Sequence, residues 1–392
     1  MRCLLLLISL VFLLFGGSAV GNDILSDTER VTPTYVLNVC GDSVWYRFGD
    51  YTGSFPIDSS FFNRIDTINA TFDHDLILYS RIDSVTIKRS LDPVRLLAIC
   101  SPDTGVKMVI FYENEEKRSE AGLQRKLKVL RDYPHFGHMA VDKYGPFTYS
   151  GSDDSNLVRL RETYNLDSVA GSGNEIQRII NLMRWAHNIV KHDGSSTNPT
   201  PTPTNALNLI SICQKENRGV NCRMIATILN ETYLSVGFKS RHITCMPADT
   251  TDPDCHVINI VYSDGLKKWL YMDPTFEAYY MDRDSNLLSI AEVRATMIRG
   301  DSPILSNGIN WNGSPTSVVS YNGYMAKNLF RFSCPLRSEF GYESKEGEMV
   351  WVHLNPVGYN SERKGASTVN ETGKRKLIKY YTDNDEYFWA EP

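Results

Sequence analysis

The chain has 392 residues, of which 42% are hydrophobic and 22% are charged. This length suffices for two or three domains, and this composition is typical of a globular protein rather than a disordered one. The formal net charge is −5, with 41 basic and 46 acidic residues interspersed. Because no basic stripe results, we expect no nucleic-acid partner.

The first 21 residues have the features of a secretory signal peptide. Arg2 precedes a predominantly apolar segment, Leu4–Phe15, and the small residues GGSAVG follow it. This segment is shorter than the ~20 residues of a membrane-spanning helix, and no later segment reaches that length. We therefore predict that the protein is exported to the periplasm, the cell envelope or the extracellular space. No membrane span is expected after the signal is removed.

The region from residue 22 to residue 164 has a mixed α/β pattern. Strand-like runs occur at Ser84–Lys88 and Lys107–Tyr112. Apolar spacing from Leu123 to Leu130 predicts a short amphipathic helix that ends before Pro134. No motif in this region indicates chemistry.

Three helices are predicted in the middle of the chain. Ser172 and Glu175 have the spacing of a capping box, and apolar residues at helical spacing follow them. A polar loop rich in proline and threonine separates this helix from a second one that starts at Asn205. The third helix is predicted from about Cys222 to Ser235, with Gly237 as its C-terminal cap.

A β-hairpin is predicted around Asp264-Gly265, because this dipeptide suits a two-residue type I′ turn. In such a hairpin Ser263 faces Leu266. Counting back along both strands places His256 directly opposite Asp273, with both side chains on one face. The sequence therefore predicts that a histidine and an aspartate meet at the open end of the hairpin.

Cys222 is the candidate nucleophile because it lies at a predicted helix start. Unpaired amides and the helix dipole favour a thiolate there. His256 is the candidate base and Asp273 the residue that orients it. Each residue alone is more simply explained as part of the core or of a turn, but the three together favour a catalytic site.

The same part of the chain, from about Ser172 to Ala291, resembles the transglutaminase-like superfamily of papain-fold thiol enzymes, as a bacterial-type secreted member. The residues that carry the resemblance are Gly219 and Ala226 around Cys222, Gly237-Phe238 with Arg241, and His256 followed by Trp269 and Asp273-Pro274-Thr275. The resemblance implies an α+β fold: a papain-like core of helices packed on an antiparallel sheet, here with β-rich flanking regions. It also implies Cys222 as nucleophile, His256 as base and Asp273 as orienting residue.

Three departures from the family pattern are visible. One extra residue separates Gly219 from Cys222. Ile258 and Ile260 stand where many relatives have a tryptophan and an acidic residue, so we expect a different substrate cleft. No acidic cluster resembles the calcium sites of the large cross-linking enzymes.

The predicted organisation is a signal peptide at residues 1–21, a mixed region at 22–164, a transglutaminase-like core at 165–291 and a β-rich region at 292–392. The last region contains strand-like runs at Glu348–Leu354 and Lys376–Tyr381.

The sequence leaves two questions about the site open: which groups stabilise the oxyanion, and whether nearby histidines and cysteines bind a metal or the cysteines form a disulfide. The Cys222 amide is one candidate oxyanion donor, and Trp185 or Gln214 is a possible second, although core packing suits Trp185 better and a solvated helix end suits Gln214. A metal site is the second question, because four possible ligands lie close in sequence: His242, Cys245, Cys255 and His256. Their spacing is not that of known zinc ligands. Cys245 and Cys255 can instead form a disulfide. We expect no metal and no cofactor.

The leading hypothesis is therefore a thiol enzyme that acts on a peptide, protein or peptidoglycan-type amide as a peptidase, deamidase or transglutaminase. The alternative is a non-catalytic protein- or glycan-binding module on a transglutaminase-like fold. A structural envelope protein is the third possibility.

Overall fold

The computed structural model describes residues 35–48, 51–57, 65–72, 75–87, 90–101, 107–138, 144–194, 198–252, 254–359 and 365–392. The chain divides into two compact units, Met1–Ala121 and Gly122–Pro392. The predicted signal peptide lies outside the described residues. The domain boundaries predicted after residues 21, 164 and 291 stay a prediction.

The described part of the first unit consists mainly of β-strands: β1 (Tyr35–Asn38), β2 (Ser43–Phe48), β3 (Tyr51–Pro56), β4 (Ile65–Phe72), β5 (Leu76–Tyr79), β6 (Ser84–Ile87), β7 (Ser90–Ser101) and β8 (Lys107–Asn114). Among the described residues they form two antiparallel sheets, with strand orders β1-β8-β7-β4 and β3-β2-β5-β6. Helix α1 (Glu115–Asp132) follows β8 and ends two residues before Pro134. The two strands and the helix predicted here are confirmed.

Eight further α-helices are described: α2 (Ser155–Thr163), α3 (Leu166–Ala170), α4 (Glu175–Ile189), α5 (Ala206–Glu216), α6 (Cys222–Ser235), α7 (Ile290–Arg299), α8 (Val318–Asn328) and α9 (Asp385–Phe388). A 3₁₀ turn occupies Tyr342–Ser344. The three helices predicted in the middle of the chain are α4, α5 and α6. Gly237 follows α6 with φ +95°, a conformation that glycine adopts without steric strain.

The predicted cap of α4 is wrong. The side chain of Asn174 caps the helix by accepting a hydrogen bond from the Gln177 amide. Because α4 begins at Glu175, the residue directly before it takes the cap position, and Ser172 lies too far upstream to do so.

The large sheet of the second unit contains β10 (Ser240–Met246), β11 (His256–Ser263), β12 (Lys268–Met272), β17 (Arg331–Pro335), β19 (Gly347–Leu354), β20 (Ser367–Thr372) and β21 (Arg375–Thr382). Its strand order is β12-β11-β10-β17-β19-β21-β20. All neighbours are antiparallel except the parallel pair of β19 and β21. The short strands are β9 (Thr148–Tyr149), β13 (Tyr280–Met281), β14 (Ile304–Leu305), β15 (Asn310–Trp311), β16 (Ser314–Pro315) and β18 (Arg337–Ser338).

Apolar side chains cover both faces of this sheet. On one face, Val261 of β11 packs in a hydrophobic cluster with residues of α4, α5 and α6, including Ile225. On the other face, Ile258 and Ile260 pack with residues of α7, α8 and α9. Burial of each such side chain stabilises the fold by roughly 1.5–3 kcal/mol. The helices packed on this mostly antiparallel sheet confirm the predicted α+β class.

Ile258 and Ile260 do not line the cavity beside Cys222. Both side chains are fully buried in the hydrophobic cluster that α8 covers. The expectation that the substrate cleft differs from that of relatives stays a prediction.

Candidate active site

The connection between β11 and β12 is longer than predicted. Ser263 pairs with Lys268 rather than with Leu266, so residues 264–267 form a four-residue turn. The residue with positive φ is Lys267, at +52°. The predicted two-residue type I′ turn is wrong.

A carboxylate from another element explains this turn. Glu175, the first residue of α4, accepts hydrogen bonds from the backbone amides of Asp264 at 2.9 Å and Gly265 at 3.1 Å, and from the Ser263 hydroxyl. These three bonds hold the turn against the start of α4. Local turn propensity is therefore overridden by a contact between residues almost 90 positions apart.

The longer turn shifts the strand register by two residues, so His256 and Asp273 are not directly opposite as predicted. Side chains alternate with a period of two, and a shift of two keeps both residues on one face. Nε2 of His256 donates a hydrogen bond to Oδ2 of Asp273 at 2.7 Å. The predicted contact is therefore present, although the predicted strand register was wrong by two residues.

Asp273 is completely buried and receives four hydrogen bonds. Oδ2 accepts one from His256 and one from the Tyr321 hydroxyl at 2.7 Å. Oδ1 accepts from the amides of Thr275 at 2.8 Å and Phe276 at 3.3 Å. Burial opposes ionisation, but the charge of His256 and these hydrogen bonds hold the pKa of Asp273 below its ordinary value. The carboxylate is therefore ionised and fixed in orientation.

Cys222 is the first residue of α6, and the side chain of Asn221 caps the helix through the Met224 amide at 3.1 Å. Burial opposes the thiolate, but hydrogen bonds from the side chains of His192 and His256, the charge of His256 and a bond from the Val257 amide lower the pKa of the thiol to about 6. At neutral pH the sulfur is therefore an anion.

The environment of His256 favours its positive charge, as that of Cys222 favours a negative one. Burial of the ring opposes its charge, but Asp273 and Cys222 raise the pKa of His256 to about 10. Because Nε2 is bonded to the carboxylate, the nitrogen available to the sulfur is Nδ1. The rings of Phe276 and Tyr324 pack against the imidazole, with centroids 5.6 Å and 5.3 Å away. The site thus holds a thiolate–imidazolium pair.

His192 is a site residue that the sequence analysis missed. Its side chain lines the cavity that holds Cys222 and lowers the pKa of the thiol, and its Nδ1 accepts a hydrogen bond from Nε1 of Trp311 at 2.9 Å. His192 lies in the polar loop after α4, and Trp311 lies 119 positions later on β15. No local pattern relates the two residues.

The two side chains predicted as possible second donors lie elsewhere. Trp185 packs against Tyr164, with ring centroids 5.4 Å apart, at the edge of the helical cluster. Gln214 is exposed on α5. The structure brings neither of them into the cleft.

A cavity of about 470 Å³ opens beside the nucleophile. This volume is within the ~300–1,000 Å³ typical of ligand sites. Besides the residues already described, it is lined by Gly194, Arg223, Asp254 and Cys255. We call this cavity the cleft.

The remaining cysteines of the site are free thiols. Cys245 is buried and Cys255 is half-buried, and the structure forms no disulfide between them. Burial raises the pKa of both thiols. Within the described residues, no three His, Cys, Asp or Glu side chains converge so as to hold a metal ion.

The part of the chain that holds this site matches a known family model. Residues 162–274 match the family model described as the transglutaminase-like superfamily. This segment of the chain is transglutaminase-like. The resemblance found in the sequence is confirmed for it. The matched segment contains Cys222, His256, Asp273 and also His192.

No curated protein sequence matches the chain. One similar solved structure is a candidate cysteine protease from Cytophaga hutchinsonii, with 13% identity and a TM-score of 0.24 over 61% of this chain and 73% of that chain. A candidate protease from Parabacteroides distasonis has 12% identity and a TM-score of 0.21 over 53% of this chain and 35% of that chain. Red sea bream transglutaminase has 10% identity and a TM-score of 0.26 over 74% of this chain and 51% of that chain. The match therefore spans about half or less of the length of the last two proteins. Across the described residues, no helix combines the length and the hydropathy needed to cross a bilayer.

Proposed function

We propose that this protein is an exported, cysteine-dependent enzyme that acts on amide bonds of peptides or proteins through a Cys222–His256–Asp273 triad. The observation that carries the proposal is the position of the His256 ring between the two other groups. It donates to Asp273 at 2.7 Å, and it lines the same cavity as Cys222, whose thiol pKa it lowers. A low thiol pKa in an open cleft is the property that a nucleophilic cysteine requires.

In the acylation step, the Cys222 thiolate attacks the carbonyl carbon of the amide. A C–S bond forms and the π electron pair of the carbonyl moves to oxygen. As the carbonyl re-forms, the C–N bond breaks, and Nδ1 of the His256 imidazolium gives its proton to the departing nitrogen. The products are a thioester at Cys222 and a free amine or ammonia. Asp273 stays ionised and keeps the ring oriented.

In the second step, an acyl acceptor attacks the thioester. His256, now neutral, accepts a proton from the acceptor, and the sulfur leaves as a thiolate. Water as the acceptor gives hydrolysis, as in a peptidase or a deamidase, and a primary amine gives transamidation. The three reactions share the thioester and differ in the acceptor and in the amide that enters the cleft.

The proposal is tested by a panel of amide substrates: unmodified peptides, glutamine-containing peptides with and without a primary amine, and peptidoglycan-type amides. We expect release of an amine or ammonia and a covalent acyl group on Cys222, detected by mass spectrometry. Cys222→Ala is the matched control and should abolish both signals. No acyl-enzyme with any substrate, or equal release by Cys222→Ala, contradicts the proposal and favours the non-catalytic binding module.

Export is proposed from the first 21 residues, whose charge and hydropathy pattern supports a cleaved signal. Expression of the full chain followed by cell fractionation tests it. We expect the protein outside the cytoplasm, with a new N-terminus near residue 20 or 22. An intact N-terminus on a cytoplasmic protein contradicts the proposal.

A further inference from the structure

A second imidazole lies in the cleft with the nucleophile. The side chain of His192 lines the cleft and lowers the pKa of the Cys222 thiol. Its other ring nitrogen, Nδ1, is 2.9 Å from Nε1 of Trp311. An indole Nε1 carries a hydrogen and can only donate. Nδ1 of His192 therefore accepts that bond and carries no proton.

This bond fixes the tautomer of His192. A neutral imidazole with an unprotonated Nδ1 carries its hydrogen on Nε2. Since Nδ1 is occupied by Trp311, Nε2 is the nitrogen left to interact in the cleft, and it can only donate. His192 thus has no lone pair to offer as a base at this position. Its chemistry differs from that of His256, whose ring is bonded to a carboxylate.

The backbone of His192 is held on two sides. Asn312 accepts a hydrogen bond from the His192 amide at 2.8 Å and donates one to its carbonyl oxygen at 2.9 Å. The neighbouring residues are bonded to Val220, two positions before the nucleophile, through Lys191 O at 3.0 Å and Asp193 N at 2.8 Å. The donor is therefore fixed relative to the start of α6 before any substrate arrives.

We propose that Nε2 of His192 is the second oxyanion donor of this site, together with the backbone amide of Cys222, and that Trp311 is the positioning residue that sets its tautomer. The inference rests on the proposed thioester chemistry. When the thiolate attacks a carbonyl carbon, the carbonyl electron pair moves to oxygen beside the sulfur. The Cys222 amide is the first in its helix and has no intrahelical acceptor, so it is available to that oxygen. His192 supplies the side-chain hydrogen bond to the same atom.

The inference is tested by separating two reactions of the same sulfur. Acetylation by 4-nitrophenyl acetate passes through an oxyanion, and its leaving group needs no proton from His256. Alkylation by iodoacetamide displaces iodide at a saturated carbon and forms no oxyanion. Both rates are measured at pH 9.5, where the thiolate is formed with or without His192. The ratio of acetylation to alkylation then reports oxyanion stabilisation alone.

We expect His192→Ala to lower this ratio by about 10²-fold, the usual effect of losing one oxyanion donor. His192→Gln should recover most of the loss because its amide can donate from a similar position. Trp311→Phe should give a smaller decrease, since the His192 imidazole stays but its tautomer is no longer fixed. His138→Gln, an exposed histidine on another segment, is the matched control and should keep the wild-type ratio. A circular dichroism spectrum and a thermal unfolding midpoint like those of the wild type show that each variant is folded.

Two results overturn the inference, and they differ. If wild-type Cys222 is acetylated and His192→Ala keeps the wild-type ratio, His192 is not an oxyanion donor, while the proposed function stands. If wild-type Cys222 is alkylated but never acetylated, the proposed function fails and this inference fails with it.

Discussion

The pH dependence of Cys222 alkylation is the most direct test of the electrostatics of the site. A thiol with a pKa of about 6 is about half ionised at pH 6, whereas a free cysteine with a pKa near 8.5 is about 0.3% ionised. This difference of ~2.5 units also lowers the intrinsic nucleophilicity of the thiolate roughly 10- to 20-fold. The net advantage of Cys222 is therefore about tenfold at pH 6 and only about two- to threefold at pH 7.

The experiment measures the iodoacetamide rate of each cysteine between pH 4.5 and pH 10 by peptide mapping. Cys40, which is exposed, is the internal comparison. We expect the Cys222 profile to have its midpoint near 6 and to cross that of free cysteine slightly above neutrality, with free cysteine faster at high pH. His256→Ala should raise the midpoint by about one unit or more, because a neighbouring opposite charge typically shifts a pKa by 1–3 units.

Three outcomes refute this reasoning. A Cys222 midpoint near that of an ordinary thiol means that the hydrogen bonds and the imidazolium do not stabilise the anion. Equal midpoints in the wild type and in His256→Ala mean that the histidine does not face the sulfur. Faster alkylation of Cys40 than of Cys222 at pH 6 contradicts the predicted advantage of the thiolate.

Three further predictions concern residues around the site. Tyr321→Phe removes one hydrogen bond to the Asp273 carboxylate, worth about 1.5–3 kcal/mol for a charged acceptor; we expect the substrate turnover rate to fall at least about tenfold, and an unchanged rate contradicts this. Gly219→Ala places a Cβ 2.8 Å from the carbonyl oxygen of Lys191, so it should lower the acetylation-to-alkylation ratio of the nucleophile, and a wild-type ratio contradicts the close approach. Burial raises the pKa of Glu231 to about 8, above its unfolded value of ~4.3. The protonated carboxyl therefore stabilises the folded state fully below pH ~4.3, and this contribution is lost as the pH rises through 8. Urea unfolding from pH 5 to pH 8 should therefore show a steeper loss of stability in the wild type than in Glu231→Gln, and equal slopes contradict it.

Local sequence signals predicted the elements that carry the nucleophile. The bounds of α6 follow from apolar residues at helical spacing and from Gly237, whose positive φ ends the helix. The cap of α4 was misplaced because Ser172 and Asn174 are both good capping residues, and the sequence alone does not show which of them directly precedes the first turn. Such errors concern one or two residues and leave the element intact.

Tertiary contacts account for what the sequence did not show. The turn after β11 is shaped by Glu175 from a distant helix, so the turn dipeptide was a poor guide to the register. The contact of His256 with Asp273 was nevertheless predicted, because an error of two residues preserves the face of a strand. His192 was missed for a different reason. Its partners Trp311 and Asn312 lie in a hairpin about 120 positions away, and only the fold brings them to it.

The roles that we propose for the two histidines of the cleft differ because their outer partners differ in hydrogen-bond polarity. His256 is bonded to a carboxylate, which only accepts, so Nε2 is the donor there and Nδ1 is left for the proton transfer that we propose. His192 is bonded to an indole, which only donates, so Nδ1 is the acceptor there and Nε2 presents a fixed hydrogen. A carboxylate stabilises an imidazolium, whereas an indole N–H opposes one. One ring is thus suited to proton transfer and the other to hydrogen bonding without proton transfer. The chemistry of each imidazole is therefore set by a residue that does not touch the nucleophile.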